Sequence, residues 1–137
     1  MADEIRRVDY FYVQVPDRAG EGARALATLR DGGVNLLGFC GFPEGRRAQL
    51  DFVPEDPTKF REAARKARWK VTGPKKAFLV QGDDRVGAVA GILGTLAEAK
   101  INVIATQALC AGAGRYGVLL WVPPRDVARA ARVLGAA

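Results

Sequence analysis

The sequence predicts an α+β protein made of two copies of one small strand-helix-strand-strand-helix unit, and three observations carry that prediction. The first is an internal repeat: QVPDRAG at 14–20 returns as QGDDRVG at 81–87, at a constant offset of 67 residues. Phe11, Val13, Leu26, Thr28, Leu29 and Asn35 meet Phe78, Val80, Leu93, Thr95, Leu96 and Asn102 without a gap, and Pro57, Ala63 and Ala64 meet Pro124, Ala130 and Ala131. Solenoid repeats run to roughly 20–50 residues, so a period this long marks two small domains, divided at this offset into 1–71 and 72–137. The second observation is that apolar residues switch between a period of two and a period near 3.6 in the same order in both halves. The third is composition: 49% hydrophobic and 26% charged residues describe a globular chain, neither disordered nor fibrous.

The elements follow in order. VDYFYVQV (8–15) alternates, is rich in β-branched and aromatic residues, and is stopped by Pro16, so it reads as a strand. A helix comes next. In the second half Val89, Ile92, Leu93, Leu96 and Ala97 line one helical face; the first half keeps Ala25, Leu26 and Leu29 but has Gly22 in place of Val89, which predicts a looser helix start. Gly32-Gly33 end that helix, VNLLGFCGF (34–42) and RAQLDFV (47–53) form a hairpin around Pro43-Glu44-Gly45, and Asp56-Pro57 open a second helix carrying Phe60, Ala63, Ala64 and Ala67. The second half repeats this as INVIATQALC (101–110), a glycine turn at 112–114, YGVLLWV (116–122), and a helix from Pro124 with Val127, Ala130, Ala131 and Leu134.

A short strand near Trp69-Lys70-Val71 completes βαββαβ in the first half, the ferredoxin-like arrangement of two helices on one face of an antiparallel sheet. Ala137 stands where Lys70 stands in the first half, so the second unit is expected to lack a fourth strand of its own. Its open edge is expected to be paired by the linker strand near 69–71, by a swapped strand or by another subunit, because a bare edge invites aggregation.

Composition also narrows the chemistry. The chain has no His and no Ser, and its Thr, Lys and carboxylates form no recognisable pair of nucleophile and base, so no catalytic residue and no metal or cofactor site is expected. GAGRYG (112–117) fits the letters of a dinucleotide loop, but a strand follows it instead of a helix, and it reads as a hairpin turn. Cys40 and Cys110 occupy different repeat positions and are expected as buried, reduced thiols. Nothing resembling a signal or membrane-spanning segment is written, which points to the cytoplasm. The net charge of +6 is concentrated in 59–76, where eight Lys and Arg face only Glu62. Such a run is read as a solvated outer face.

The two Asp-Arg-x-Gly turns remain. Each lies between the first strand and the first helix, where free backbone N–H groups and the positive helix end suit a carboxylate and where Gly permits close approach. Asp17 and Asp84 either receive an ammonium group or cap their helices. Asn35 and Asn102 enter the second strand at the same end of each unit, able to bond a zwitterion or their own backbone.

Strand, D-R-x-G turn, amphipathic helix and G-V-N or K-I-N leading into a strand together resemble the ACT domain, and the whole chain resembles two in tandem. The resemblance implies βαββαβ regulatory modules that bind small ligands, most often amino acids, between paired domains. Carried over residue by residue, it implies a ligand site at Asp17, Arg18, Ala19, Gly20 and Asn35, and another at Asp84, Arg85, Val86, Gly87 and Asn102. The family's usual Pro after Asp-Arg is replaced by Ala19 and Val86, and Gly22 departs from its usual aliphatic residue, so the second turn is the favoured site. The functional expectation is a non-catalytic, amino-acid-binding regulatory protein, working as a homo-oligomer, most simply a dimer, through ligand-dependent pairing. Two alternatives are an RNA-binding module on a ferredoxin-like sheet and a regulatory subunit of a separate metabolic enzyme. The RNA alternative is the weaker, because Asp51 stands where its third strand wants aromatics.

Overall fold

A computed structural model describes residues 3–137. The elements are β1 (Glu4–Pro16), α1 (Glu21–Asp31), β2 (Leu36–Glu44), β3 (Arg47–Pro54), α2 (Pro57–Lys66), β4 (Thr72–Asp83), α3 (Ala88–Glu98), β5 (Ala105–Gly112), β6 (Arg115–Trp121) and α4 (Val127–Leu134), the last preceded by a 3-10 turn over Pro124–Asp126. They form two compact units: a continuous one, Asp9–Lys75, and a split one made of residues 3–8 with Lys76–Ala137. β1 and β4 each contribute to both. The repeat boundary at 71/72 falls immediately before β4.

In the continuous unit the strand order is β2-β3-β1-β4. β1 and β3 are antiparallel with Phe11 opposite Phe52 and Val13 opposite Leu50, so these four side chains share the helix-facing side. They pack with Ala25 and Leu29 of α1 and Phe60, Ala63 and Ala64 of α2. The centre is aromatic: Phe60 stacks on Phe11 at 4.6 Å, and Phe52 lies 5.5 Å from Phe60 and 5.8 Å from Trp69. The Asp56 carboxylate caps α2 by accepting from the Thr58 and Lys59 N–H groups at 3.0 and 3.3 Å. α1 includes Gly22 and runs eleven residues, the same as α3. The expected strand at 69–71 does not form either. Trp69 and Val71 pack on the core, and β4 starts at Thr72 and runs directly into the first strand of the second repeat. Gly73 permits this path: its φ is +128°, and an added Cβ would lie 2.8 Å from the Tyr10 carbonyl oxygen.

In the split unit the order is β1-β4-β6-β5. Phe78, Val80, Val118 and Leu120 pack under Ile92 and Leu96 of α3 and Ala130 and Ala131 of α4. The edge expected to be open is filled by residues 4–8 of β1, not by the linker strand or a second subunit. Ile5 joins this core, its carbonyl accepts from the Ala137 N–H at 3.1 Å, and the Arg7 N–H donates to the Ala137 carbonyl at 3.2 Å. The 67-residue offset also changes locally. Phe11 pairs with Phe52 but Phe78 with Leu120, an offset of 68 across β3 and β6, because Ala111 is bulged out of the β5 ladder between Cys110 and Gly112.

The basic residues of 59–76 are exposed, as expected of a solvated face. The cysteines depart from expectation: Cys40 is half-buried and Cys110 is exposed, since β5 is an edge strand with every residue exposed. Among the described residues no helix is long and apolar enough to cross a membrane.

Candidate ligand cleft at the second strand-helix turn

At the end of β4 the chain turns through Asp84, Arg85, Val86 and Gly87 into α3. Gly87 is the N-cap with φ +80°, and Gly20 holds the same place before α1 with φ +92°. Both conformations are left-handed, which explains the glycine in each motif. Neither helix has a side-chain cap, so the capping alternative for Asp17 and Asp84 fails. The uncapped first turn of α3 leaves backbone donors at Val89 and Ala90 for a ligand.

Asp84, Arg85, Gly87, Ala88, Val89 and Ala90 form one wall of a cleft of about 280 Å³, and Ala108, Leu109, Cys110 and Tyr116 form the other. Val86, of the predicted residues, is fully exposed outside it, and Asn102 is exposed and does not line it. The Asp84 N–H donates to the Gly114 carbonyl at 2.8 Å, which ties the turn to the Gly112–Gly114 hairpin. Asp84 also adjoins Cys110, and the hydrogen bond between them, together with desolvation, pushes the thiol above its ordinary pKa. Cys110 is therefore a neutral wall of the cleft at neutral pH.

Arg85 turns away to another task. Its two terminal nitrogens donate to the two carboxylate oxygens of Asp3, each at 3.1 Å, and one also donates to the Asp83 carbonyl at 2.9 Å. The guanidinium lies 5.9 Å from the centre of the Tyr116 ring. Asp3 is held below the ordinary carboxylate range, first by its hydrogen bonds to Arg85.

The first turn is built differently. Asp17 to Gly20 are all exposed, Arg18 donates to the buried Glu21 at 2.7 Å, and Arg24 reaches the same carboxylate at 3.5 Å. The Asn35 amide donates to Glu55 at 3.4 Å, pairing with the end of β3 and not with the turn.

No protein-family model matches the sequence, and no curated protein does. Solved structures do. A protein from Bacteroides thetaiotaomicron superposes with a TM-score of 0.79 at 16% identity, covering 97% of this chain and 88% of that one. The ligand-free regulatory subunit of aspartate kinase from Thermus thermophilus gives 0.65 at 16% identity, with 98% and 93% covered. Aspartokinase alpha and beta subunits give 0.66 at 20%, with 98% and 95% covered. The chain shares their fold, two ferredoxin-like units in tandem.

The continuous unit corresponds to the first repeat and the split unit to the second. Sequence reasoning reached Asp84, Arg85 and Gly87 of the second unit's cleft but missed Asp3, Tyr116 and Cys110. Tyr116 was findable in principle, since the hairpin turn at 112–114 sets it opposite both Gly82 and Cys110. Asp3 lies 82 residues from Arg85 and carries no local signal.

Proposed function

We propose that the chain is a non-catalytic regulatory protein whose second ACT unit binds an amino acid in the cleft at Asp84–Gly87. The observation that carries this reading is the cleft's pairing of opposite needs: an exposed carboxylate, Asp84, beside an uncapped helix start at Val89 and Ala90. A zwitterion supplies an ammonium group to the first and a carboxylate to the second. The apolar wall of Ala108 and Leu109 and the small Ala88 leave room for a side chain of modest size. Arg85 is occupied by Asp3 and shapes the turn instead of meeting the ligand. Oligomerisation, as a dimer, is part of the same proposal: Leu109 on the edge strand β5 is 62% exposed, and Ile104, just before that strand, 59%. A second reading, that the chain regulates a separate enzyme, is favoured by its likeness over nearly full length to aspartate kinase regulatory subunits.

A thermal-shift screen against the twenty common amino acids tests the proposal. A ligand at a hundred times its dissociation constant adds about 2.7 kcal/mol of stability. One amino acid, or a close group, is expected to raise the midpoint, Asp84→Ala to abolish that rise, and Asp17→Ala to leave it. No response to any amino acid, or a response untouched by Asp84→Ala, would remove the site.

A further inference from the structure

On the face of the first unit's sheet opposite its helices lies a larger cleft, about 480 Å³, lined by Tyr12, Val13, Gln14, Arg47, Lys70 and Thr72. Its lining holds two cations and no acid. Arg47 is anchored by one nitrogen donating to the Gln14 carbonyl at 3.1 Å, and neither Arg47 nor Lys70 has a salt-bridge partner among the described residues. Lys75, outside the lining, sets its ammonium 5.7 Å from the centre of the Tyr12 ring and is balanced by Asp51, which stands opposite Tyr12 across the ladder and also lies outside the lining.

The second unit provides an internal control for what the fold itself requires. The residue equivalent to Arg47 is Arg115, since each opens the third strand of its unit. Arg115 faces Asp83 across the ladder and is neutralised by it at 2.8 Å, whereas Arg47 faces Pro16. At the repeat offset Tyr12 becomes Leu79 and Lys70 becomes Ala137. The unit therefore folds without the aromatic hydroxyl, without the lysine and with its arginine quenched. What distinguishes the first unit is a concave, polar site whose two lining cations have no ion-pair partner among the described residues, the nearest acid across the ladder, Asp51, standing outside the lining. A cleft lined by one sign of charge concentrates ligands of the other, and an arginine fork beside a lysine suits a phosphate or paired carboxylates.

We propose that this cleft is a second ligand site, independent of the amino-acid cleft, which holds a small organic dianion between Arg47 and Lys70, with Tyr12, Gln14 and Thr72 supplying polar contacts. A dianion balances both cations, and a phosphate monoester carries a charge of about −1.5 to −2 at neutral pH.

The test is an amide-resolved NMR titration of the full chain at low, matched ionic strength, with glucose 6-phosphate, inorganic phosphate and succinate as dianions, acetate as the monoanion control, and an oligouridylate. At least one dianion is expected to shift the amides of Tyr12, Gln14, Arg47 and Thr72 saturably, while acetate does not. Whether the phosphates or succinate saturate first identifies the phosphate or the dicarboxylate as the natural group. Arg47→Gln and Lys70→Gln, both exposed positions, are each expected to weaken that binding at least about tenfold, and Arg115→Gln to leave it unchanged. No saturable shift with any dianion, equal weakening by Arg115→Gln, or binding of the oligouridylate alone would overturn the proposal. Shifts confined to residues 84–90 would also overturn it while leaving the amino-acid cleft standing.

Discussion

The two units place their cores in the same pattern, yet a position beside their motif turns separates them: Glu21 opens α1 where Ala88 opens α3. Glu21 is only 8% exposed and clamps Arg18 and Arg24, so the first turn is filled by its own side chains. Ala88 leaves that volume empty, and Arg85, with no acid at the place of Glu21, reaches Asp3 instead. The sheet faces show the reverse: the first unit leaves Arg47 unneutralised and the second pairs Arg115 with Asp83. Duplication has thus kept what the core demands and freed the polar edges, so that each unit holds a different vacancy.

The core is where breaking the comparison has the largest effect. Phe60 is fully buried against Phe11, Phe52 and Trp69, while its counterpart Val127 is partly buried at the edge of its cluster. Phe60→Ala is expected to cost about 3–5 kcal/mol, a large share of the roughly 5–15 kcal/mol that holds a domain. Val127→Ala is expected to cost about 1 kcal/mol. Urea midpoints at constant slope measure both, and equal losses would mean that the aromatic stack is not the centre of the first unit.

Exchanging the helix openers sharpens the contrast at the turns. Ala88→Glu places in the cleft the side chain that closes the first turn. It is expected to remove amino-acid stabilisation with little loss of fold, since a carboxylate at a helix start is favourable by about 0.3–1 kcal/mol. Midpoints with and without the amino acid separate the two effects. Retained binding in Ala88→Glu would show that the empty volume beside Ala88 is not what the ligand uses.

Much of this was legible in the sequence because it is periodic. Alternation in VDYFYVQV placed Phe11 and Val13 inward, the 3.6-residue spacing placed Leu29 and Leu96, and the doubled Asp-Arg-x-Gly located both turns. What was not legible depends on pairings that leave no local trace. EIRRV at 4–8 has no strong strand pattern, yet it supplies the missing strand of the second unit. Cys110, in the apolar stretch INVIATQALC, is expected to be buried, but the place of β5 at the sheet edge exposes it. The bulge at Ala111 restores its register only when both strands are seen together. In the cleft, Gly87 was found because a left-handed turn requires glycine, whereas Ala88 matters for what it lacks.

The smallest effect concerns the strand that closes the second unit. Asp3 holds Arg85 with both oxygens and lies over Gly82, where an added Cβ would collide with its carboxylate. Its folded pKa is depressed, so the pair's contribution is complete above the unfolded value, about 3.9, and is lost as pH falls through the lower folded one. Amide exchange of residues 4–8 is therefore expected to quicken only below about pH 4, with Asp3→Asn producing the same loosening at neutral pH and a flat profile below. The loss is modest because Arg85 is nearly half exposed and solvent screens the pair. Gly82→Ala displaces the carboxylate while keeping it ionised, and also presses on the Tyr116 ring edge 2.9 Å away. If exchange in Gly82→Ala matches the parent while Asp3→Asn loosens the strand, the charge acts at a distance; if both loosen it equally, the bidentate contact with Arg85 is what holds the strand closed.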